Sequence, residues 1–291
     1  MEETGRRSRL PVHTSELYAA FSPDRSHVLT GGDGPAPRAS IWEVATAACL
    51  RRLGEHAQPI AALAWTADQR RVASGAFDGA VRVSGADASE SVQLLTGHGR
   101  YVRSVEFSAS GQRLLSGAGD GIVRIWDLRS GALMREFTGH ADGVYHATFD
   151  PGETRIVSGG RDGTIRVWDV ESGRCLQVIA NPAGVQQLAW HADRRHVLSC
   201  ARDIRLWDLD TGECLRTFAG HDDTVRSVVW SRDHRRVLSG SHDGSARVWE
   251  SDTGRCLHVL RGGGYIVNAV WSVDEAAVLA CDSDGGLFTW A

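Results

Sequence analysis

The chain has 291 residues, a formal net charge of −4 and 42% hydrophobic residues, a balance that gives it no overall pull toward nucleic acid or an anionic membrane. All 32 basic residues are arginine and lysine is absent, which excludes a GxxxxGK[ST] phosphate loop, a kinase lysine and a Schiff-base lysine. No apolar run is long enough for a membrane-spanning helix, and residues 1–7, MEETGRR, lack the apolar centre of a signal peptide, so the cytoplasm is the expected location.

Trp42, Trp126, Trp168, Trp207, Trp249 and Trp290 are separated by 84, 42, 39, 42 and 41 residues. The widest gap is two periods, with Ser84 midway, preceded by Val81-Arg82-Val83 as Trp126 is preceded by Val123-Arg124-Ile125. Seven repeats are therefore expected. A period in the low forties with four strand-like runs marks radial repetition of small antiparallel sheets.

In chain order, residues 1–6 are expected to be flexible and 7–12 to form a strand. The first repeat then inserts Gly34-Pro35-Ala36-Pro37 after Asp33, a rigid lengthening of one turn. The second keeps His56, Ser74 and Asp78 but carries Ser84 in place of Trp. The third shows the strand logic in full. Alternating residues such as Val105 and Phe107 predict short strands, and Ser116-Gly117, Asp120-Gly121 and Ser130-Gly131 predict the turns between them. The fourth follows the same pattern. The fifth has Asn181 where others have His, and Asp203 runs directly into Ile204, so its turn is two residues shorter. The sixth is regular, and the seventh has Gly262 for His and Ala280 for Ser. Because the seventh repeat reaches only its third strand, the N-terminal strand is expected to complete that sheet and close the ring.

The six cysteines follow the repeat. Cys49, Cys175, Cys214 and Cys256 each precede Leu at one register position, and Cys200 and Cys281 replace a Gly. With no CxxC, small buried thiols are expected, without disulfides or zinc.

The Gly-His pairs at 97–98, 139–140 and 220–221, the Trp-Asp pairs at 126–127, 168–169 and 207–208, and the Leu/Val-Ser-Gly and Asp-Gly steps between them closely resemble the WD-repeat β-propeller family. The resemblance covers nearly the whole chain. It implies an all-β fold, a seven-bladed propeller of four-stranded antiparallel blades spanning 1–291 as one unit. It also implies a hydrogen-bonded structural tetrad in each regular blade: His98, Ser116, Asp120 and Trp126; His140, Ser158, Asp162 and Trp168; His221, Ser239, Asp243 and Trp249. Because the Ser-His-Asp set recurs in successive blades, it does not read as a hydrolase triad, which is built once beside a binding pocket. Asp282-Ser283-Asp284-Gly285 starts like a calcium loop but lacks the later ligands, so it reads as a turn.

In this family partners often dock on the face carrying the loops into the innermost strands and the second-to-third-strand turns. Register places Tyr18, Phe77, Tyr101, Arg103, Tyr145, Arg161, Gln186, Arg202, Arg226, His242 and Tyr265 there. Tyr and Arg are the residue types enriched at interface hot spots, and Arg103, Arg161, Arg202 and Arg226 from consecutive blades form an arc suited to carboxylates or phosphates. Pairing of these arginines with Asp142, Asp222 and Asp223 is the competing expectation. Arg82, Arg124, Arg166, Arg205 and Arg247, each two residues before the repeat Trp or Ser84, read as strand-level packing. Arg70-Arg71, Arg194-Arg195 and Arg235-Arg236 fall on the opposite face, where Asp68, Asp193 and Asp233 partly neutralise them.

No His, Asp or Glu cluster is expected outside the repeat register, and hence neither a metal nor a cofactor. The expected function is a non-catalytic scaffold that binds peptides or domains of other proteins, acidic or phosphorylated ones among them, and is monomeric on its own. The alternatives are a sensor that takes a small ligand or anion at the central channel, or a propeller enzyme.

Overall fold

The computed structural model describes residues 6–10, 17–34, 36–87 and 92–290. Among them are 28 strands in seven four-stranded antiparallel sheets and no helix. Each sheet is one blade. The innermost strands are Leu17–Phe21, Ile60–Trp65, Val102–Phe107, Val144–Phe149, Gln187–Trp190, Val225–Trp230 and Ile266–Trp271, and each adjoins the next around a closed ring.

The core is divided among the junctions between blades. Among the described residues are seven hydrophobic clusters, and each draws on two neighbouring blades, as when Ala62, Ala73 and Val83 of blade 2 meet Val102, Phe107 and Trp126 of blade 3. A sheet that buries both faces must find apolar surface on either side, and the ring supplies it. Glycine sets how closely the blades approach. A Cβ on Gly75 would lie 2.6 Å from Val102 Cγ1, and one on Gly117 would lie 2.7 Å from Val144 Cγ1. The Gly of each Ser-Gly step thus leaves room for the β-branched side chain that opens the next blade. In blades 5 and 7 that place is taken by Cys200 and Cys281, both fully buried.

The ring closes as expected. Arg6–Arg9 pairs antiparallel with Gly286–Trp290, so the N-terminal strand is the outermost strand of the seventh blade. It begins one residue before the expected span. The following Leu10 is buried in the cluster between blades 7 and 1, and its amide donates to the Gly285 carbonyl at 2.7 Å. Residues 1–5, Pro11 and His13 lie outside the described residues.

The thiols depart from expectation. Cys200 and Cys281 are buried, but Cys49, Cys175 and Cys214 are exposed and Cys256 half-buried, all six being free. The exposed set opens outermost strands, whose outer side faces solvent, and each sulfur donates to the carbonyl two residues on, as Cys175 does to Gln177 at 3.4 Å.

The three regular tetrads are assembled as the resemblance implies. In blade 3, His98 Nδ1 lies 3.0 Å from Asp120, His98 Nε2 lies 2.7 Å from Ser116 Oγ, and Trp126 Nε1 donates to the same Oγ at 2.8 Å. His140–Asp162, His140–Ser158 and Trp168–Ser158 repeat the geometry, as do His221–Asp243, His221–Ser239 and Trp249–Ser239. Burial holds the three imidazoles below their ordinary pKa, although the Asp partners pull the other way. Asp243 is raised by burial but brought to about 2 by hydrogen bonds from Ser245 and His221. Neutral imidazole against ionised carboxylate is therefore the working state.

The degenerate blades keep what their residues allow. Thr30 and Ser199 accept from Trp42 and Trp207 at 2.7 and 2.8 Å, and Asn181 donates to the Ala183 carbonyl instead. In blade 7, with Ala280 for Ser, the buried Trp290 Nε1 has no partner among the described residues. The Asp282 carboxylate accepts from the amides of Gly264, Asp284 and Gly286, the work of a turn.

Two outcomes follow for stability. Removing residues 1–12 strips the seventh blade of its outer strand and Leu10, so differential scanning calorimetry should show the melting midpoint several degrees lower; an unchanged midpoint would refute this closure. Ser116→Ala strands both His98 and Trp126 and should cost about 1–3 kcal/mol, whereas Ala280→Ser offers Trp290 an acceptor and should gain about 0.5–1.5 kcal/mol in urea denaturation.

Candidate functional site

The second residue of each innermost strand, or Gln186 just before the fifth, faces the mouth of the central channel. Tyr18, Ala61, Arg103, Tyr145, Gln186, Arg226 and Val267 form this collar, one residue per blade, around a cavity of about 140 Å³. A local irregularity aims them. In five blades the pairing of the first two strands slips by one residue at the collar position, as between Val102 and Ser104, where Arg103 is left unpaired. A bulge of this kind redirects a side chain that strict alternation would hold against the sheet. Blade 1, one residue shorter, pairs through Tyr18 without a slip.

Inside the collar the arginines rest on aromatic rings. The Arg103 guanidinium lies 4.8 Å from the Tyr145 ring centre and 5.9 Å from that of Tyr18, and Arg226 lies 5.3 Å from Tyr18. Neither arginine makes an ion pair among the described residues. Below them, His146 and Asn268 also line the cavity, and His146 Nδ1 and Asn268 Oδ1 have no hydrogen-bond partner among the described residues. Desolvation takes His146 down to about 4, so it is neutral.

The remaining face residues form an outer ring, and the single arc of four arginines divides accordingly. Phe77 stacks on Tyr101 of the next blade at 5.2 Å, and His242 stacks on Tyr265 of the next at 5.0 Å. Arg161 lies 3.6 Å from Asp142 and both are exposed, so the competing expectation of local pairing holds for this one. Arg202 is exposed beside it in sequence register but takes no part in the collar. The turn after Asp33 leads to Pro37, whose carbonyl accepts from the His56 amide at 2.8 Å, while Pro35 lies outside the described residues.

The recurrent strand arginines pack over the tetrads. Arg124 donates to Asp120 and to Glu136, both at 2.7 Å, and Arg247 lies 3.5 Å from Asp243. On the opposite face, arginines are spent mostly between blades: Arg113 on Glu153, Arg194 on Asp150 at 2.5 Å, and Arg71 on the Gly111 carbonyl. The Arg195 pKa is raised first by its hydrogen bond to Asp208, and Asp193 contributes to the same field, so it partly neutralises its neighbour as expected, but its carboxylate makes no ion pair with Arg194 or Arg195 among the described residues. Arg195 instead reaches Asp208 at 2.6 Å, and the Asp193 carboxylate is taken by His191 and His196. The expectation of no His or Asp cluster outside the repeat register therefore requires correction. The signal was present in the sequence, since His191 stands where other repeats place Ser, Thr or Asp.

Against known families, the chain matches the model described as WD domain, G-beta repeat over residues 47–83, 89–127, 131–169, 173–208 and 212–250. Five matched repeats set in a seven-bladed propeller make the chain a member of the WD40 family, whose propellers are generally protein-interaction scaffolds. No curated protein matches the chain at a significant level. No helix among the described residues is long and apolar enough to cross a membrane.

Glu106, three residues along from Arg103, spans to the next blade by accepting from the Phe149 amide at 3.1 Å. Desolvation pushes its carboxyl up to about 7. Its folded-state pKa exceeds the unfolded value of 4.5, so the protonated form stabilises the fold at low pH and that contribution is lost as pH rises through about 7. Glu106→Gln should therefore raise the melting midpoint more at pH 8 than at pH 5; an equal effect at both would show that the carboxyl titrates normally.

Proposed function

We propose that the chain is a non-catalytic interaction scaffold, monomeric on its own and cytoplasmic, that binds an acidic or phosphorylated segment of another protein at the collar. The observation that carries this reading is the pair Arg103 and Arg226, held over Tyr18 and Tyr145 without an ion-pair partner among the described residues. Guanidinium groups placed on ring faces are oriented in advance and less hydrated than free ones, so a carboxylate or phosphate finds its donors positioned. Phe77, Tyr101, His242 and Tyr265 extend this centre with stacked aromatic surface, Phe77 and Tyr265 being exposed. Rings braced across blade junctions give contact area at little entropic cost.

A second reading is favoured by the open valences of His146 and Asn268. A small anion seated in the cavity would meet the same two arginines and these two further polar groups.

Synthetic acidic and phosphorylated peptides, measured by fluorescence anisotropy, should bind the wild type with an affinity that falls as salt rises. The double substitution Arg103→Glu and Arg226→Glu should weaken binding at least about tenfold while circular dichroism stays unchanged. Undiminished binding by the folded double variant would refute the collar as the docking site. Peptides that fail where free phosphate or a dicarboxylate binds would favour the second reading.

A further inference from the structure

The inner-to-second-strand turn follows one chemical rule in six blades. It opens with Ser22, Thr66, Ser108, Asp150, Ser231 or Ser272, whose side-chain oxygen accepts from the amide five residues on at 2.8–3.0 Å. Blade 5 breaks the rule. It opens with His191, which makes no such bond and instead takes the Asp193 amide at 3.2 Å. Five residues on stands His196, where blades 2, 3, 4 and 6 have Arg71, Arg113, Arg155 and Arg236 and blade 1 has His27, so blade 5 alone carries His at both ends of the turn.

These two histidines converge. His191 Nδ1 lies 2.9 Å and His196 Nδ1 lies 2.6 Å from one oxygen of Asp193, Oδ2. Imidazole nitrogens and the carboxylate oxygen all fall within 4.8 Å of one another. A tetrahedral zinc-class ion with bonds of about 2.0–2.2 Å to nitrogen and oxygen holds its ligand atoms roughly 3.4 Å apart. The two imidazole–carboxylate contacts thus open by about 0.5–0.8 Å to admit one, a shift that side-chain rotation on a half-buried turn can supply. Meanwhile the other Asp193 oxygen, Oδ1, accepts from the amides of Arg195 and His196 at 2.9 and 3.0 Å, which anchors the carboxylate in the turn. His234, from the corresponding turn of blade 6, lies 4.1 Å from the His191 ring, and its buried Nδ1 has no hydrogen-bond partner among the described residues. Trp230 stands edge-on to His191 at 5.1 Å and walls the cluster on one side. The cluster is on the opposite face from the collar, so it is independent of the function proposed above.

We propose that His191, Asp193 and His196 form a two-histidine, one-carboxylate site for a divalent transition cation of the zinc class, with the His234 ring packed beside it across the blade junction. Two imidazoles select borderline first-row ions over calcium or magnesium, which prefer an all-oxygen shell. His191 and His196 are only half-buried, and Asp193 is exposed, so the ion has a path in from solvent and positions left for water.

The repeat itself supplies the control. His191→Ser with His196→Arg restores the pair that blade 3 has in Ser108 and Arg113 and blade 6 in Ser231 and Arg236, so the double variant should fold. The full-length chain, stripped with chelator, is titrated with Co2+ under reducing conditions. One ion per chain with a saturable visible absorption band is expected, displaced by Zn2+, with affinity at least about tenfold weaker in the double variant. Absence of saturable uptake by the wild type at micromolar Co2+ would overturn the proposal. So would equal uptake by both proteins, which would assign the binding to other groups such as the exposed thiols. Paramagnetic shifts of the His191 and His196 imidazole resonances in the wild type alone decide the matter should the double variant not fold; unshifted resonances overturn the site.

Discussion

Every feature of this molecule depends on the burial of both faces of each small sheet against its neighbours. A lone four-stranded blade would expose apolar surface on two sides, and the seven clusters at the junctions show where that surface goes. The approach is close enough that the Gly of a Ser-Gly step accepts a Val or Ile of the next blade into the space of its missing Cβ. Closure by Arg6–Arg9 then gives the seventh blade its fourth strand, and Leu10 fills the junction with the first blade, so the ends of the chain are joined within one sheet.

This constraint accounts for how unevenly polar chemistry is distributed. Ser, His, Asp and Trp in the regular blades satisfy one another inside the sheet, with neutral imidazoles and ionised carboxylates. Most arginines on the face opposite the collar bridge adjacent blades. Two groupings stand apart from this pattern: the collar, with Arg103 and Arg226 on tyrosine rings, and the blade 5 turn, with two histidines on one carboxylate. Both are positions where a blade departs from its siblings. Repetition serves the fold, and exceptions to it are available for recognition.

The number of blades, the strands within them, the tetrads and the N-terminal closure can all be read from the order of amino acids. Each follows from local turn chemistry and period-two alternation repeated at a nearly constant step, and a pattern repeated seven times is legible even where Ser84 takes the place of Trp in blade 2 and Ala280 that of Ser in blade 7. Candidate face residues were also legible, because register alone assigns Tyr18 through Tyr265 to one side. Tertiary structure decided how they divide. Bulges at Arg103, Tyr145 and Arg226 turn these side chains into the channel, and a slip of one residue in strand pairing leaves no mark in the order of amino acids. Likewise the partners of Arg113, Arg194 and Asp193 depend on distances between turns roughly forty residues apart or on the rotamers of a single turn, neither of which is set by local sequence. The thiols of Cys49, Cys175 and Cys214 were assigned to the interior because cysteine is usually buried, and only the placement of outermost strands on the rim shows them facing solvent.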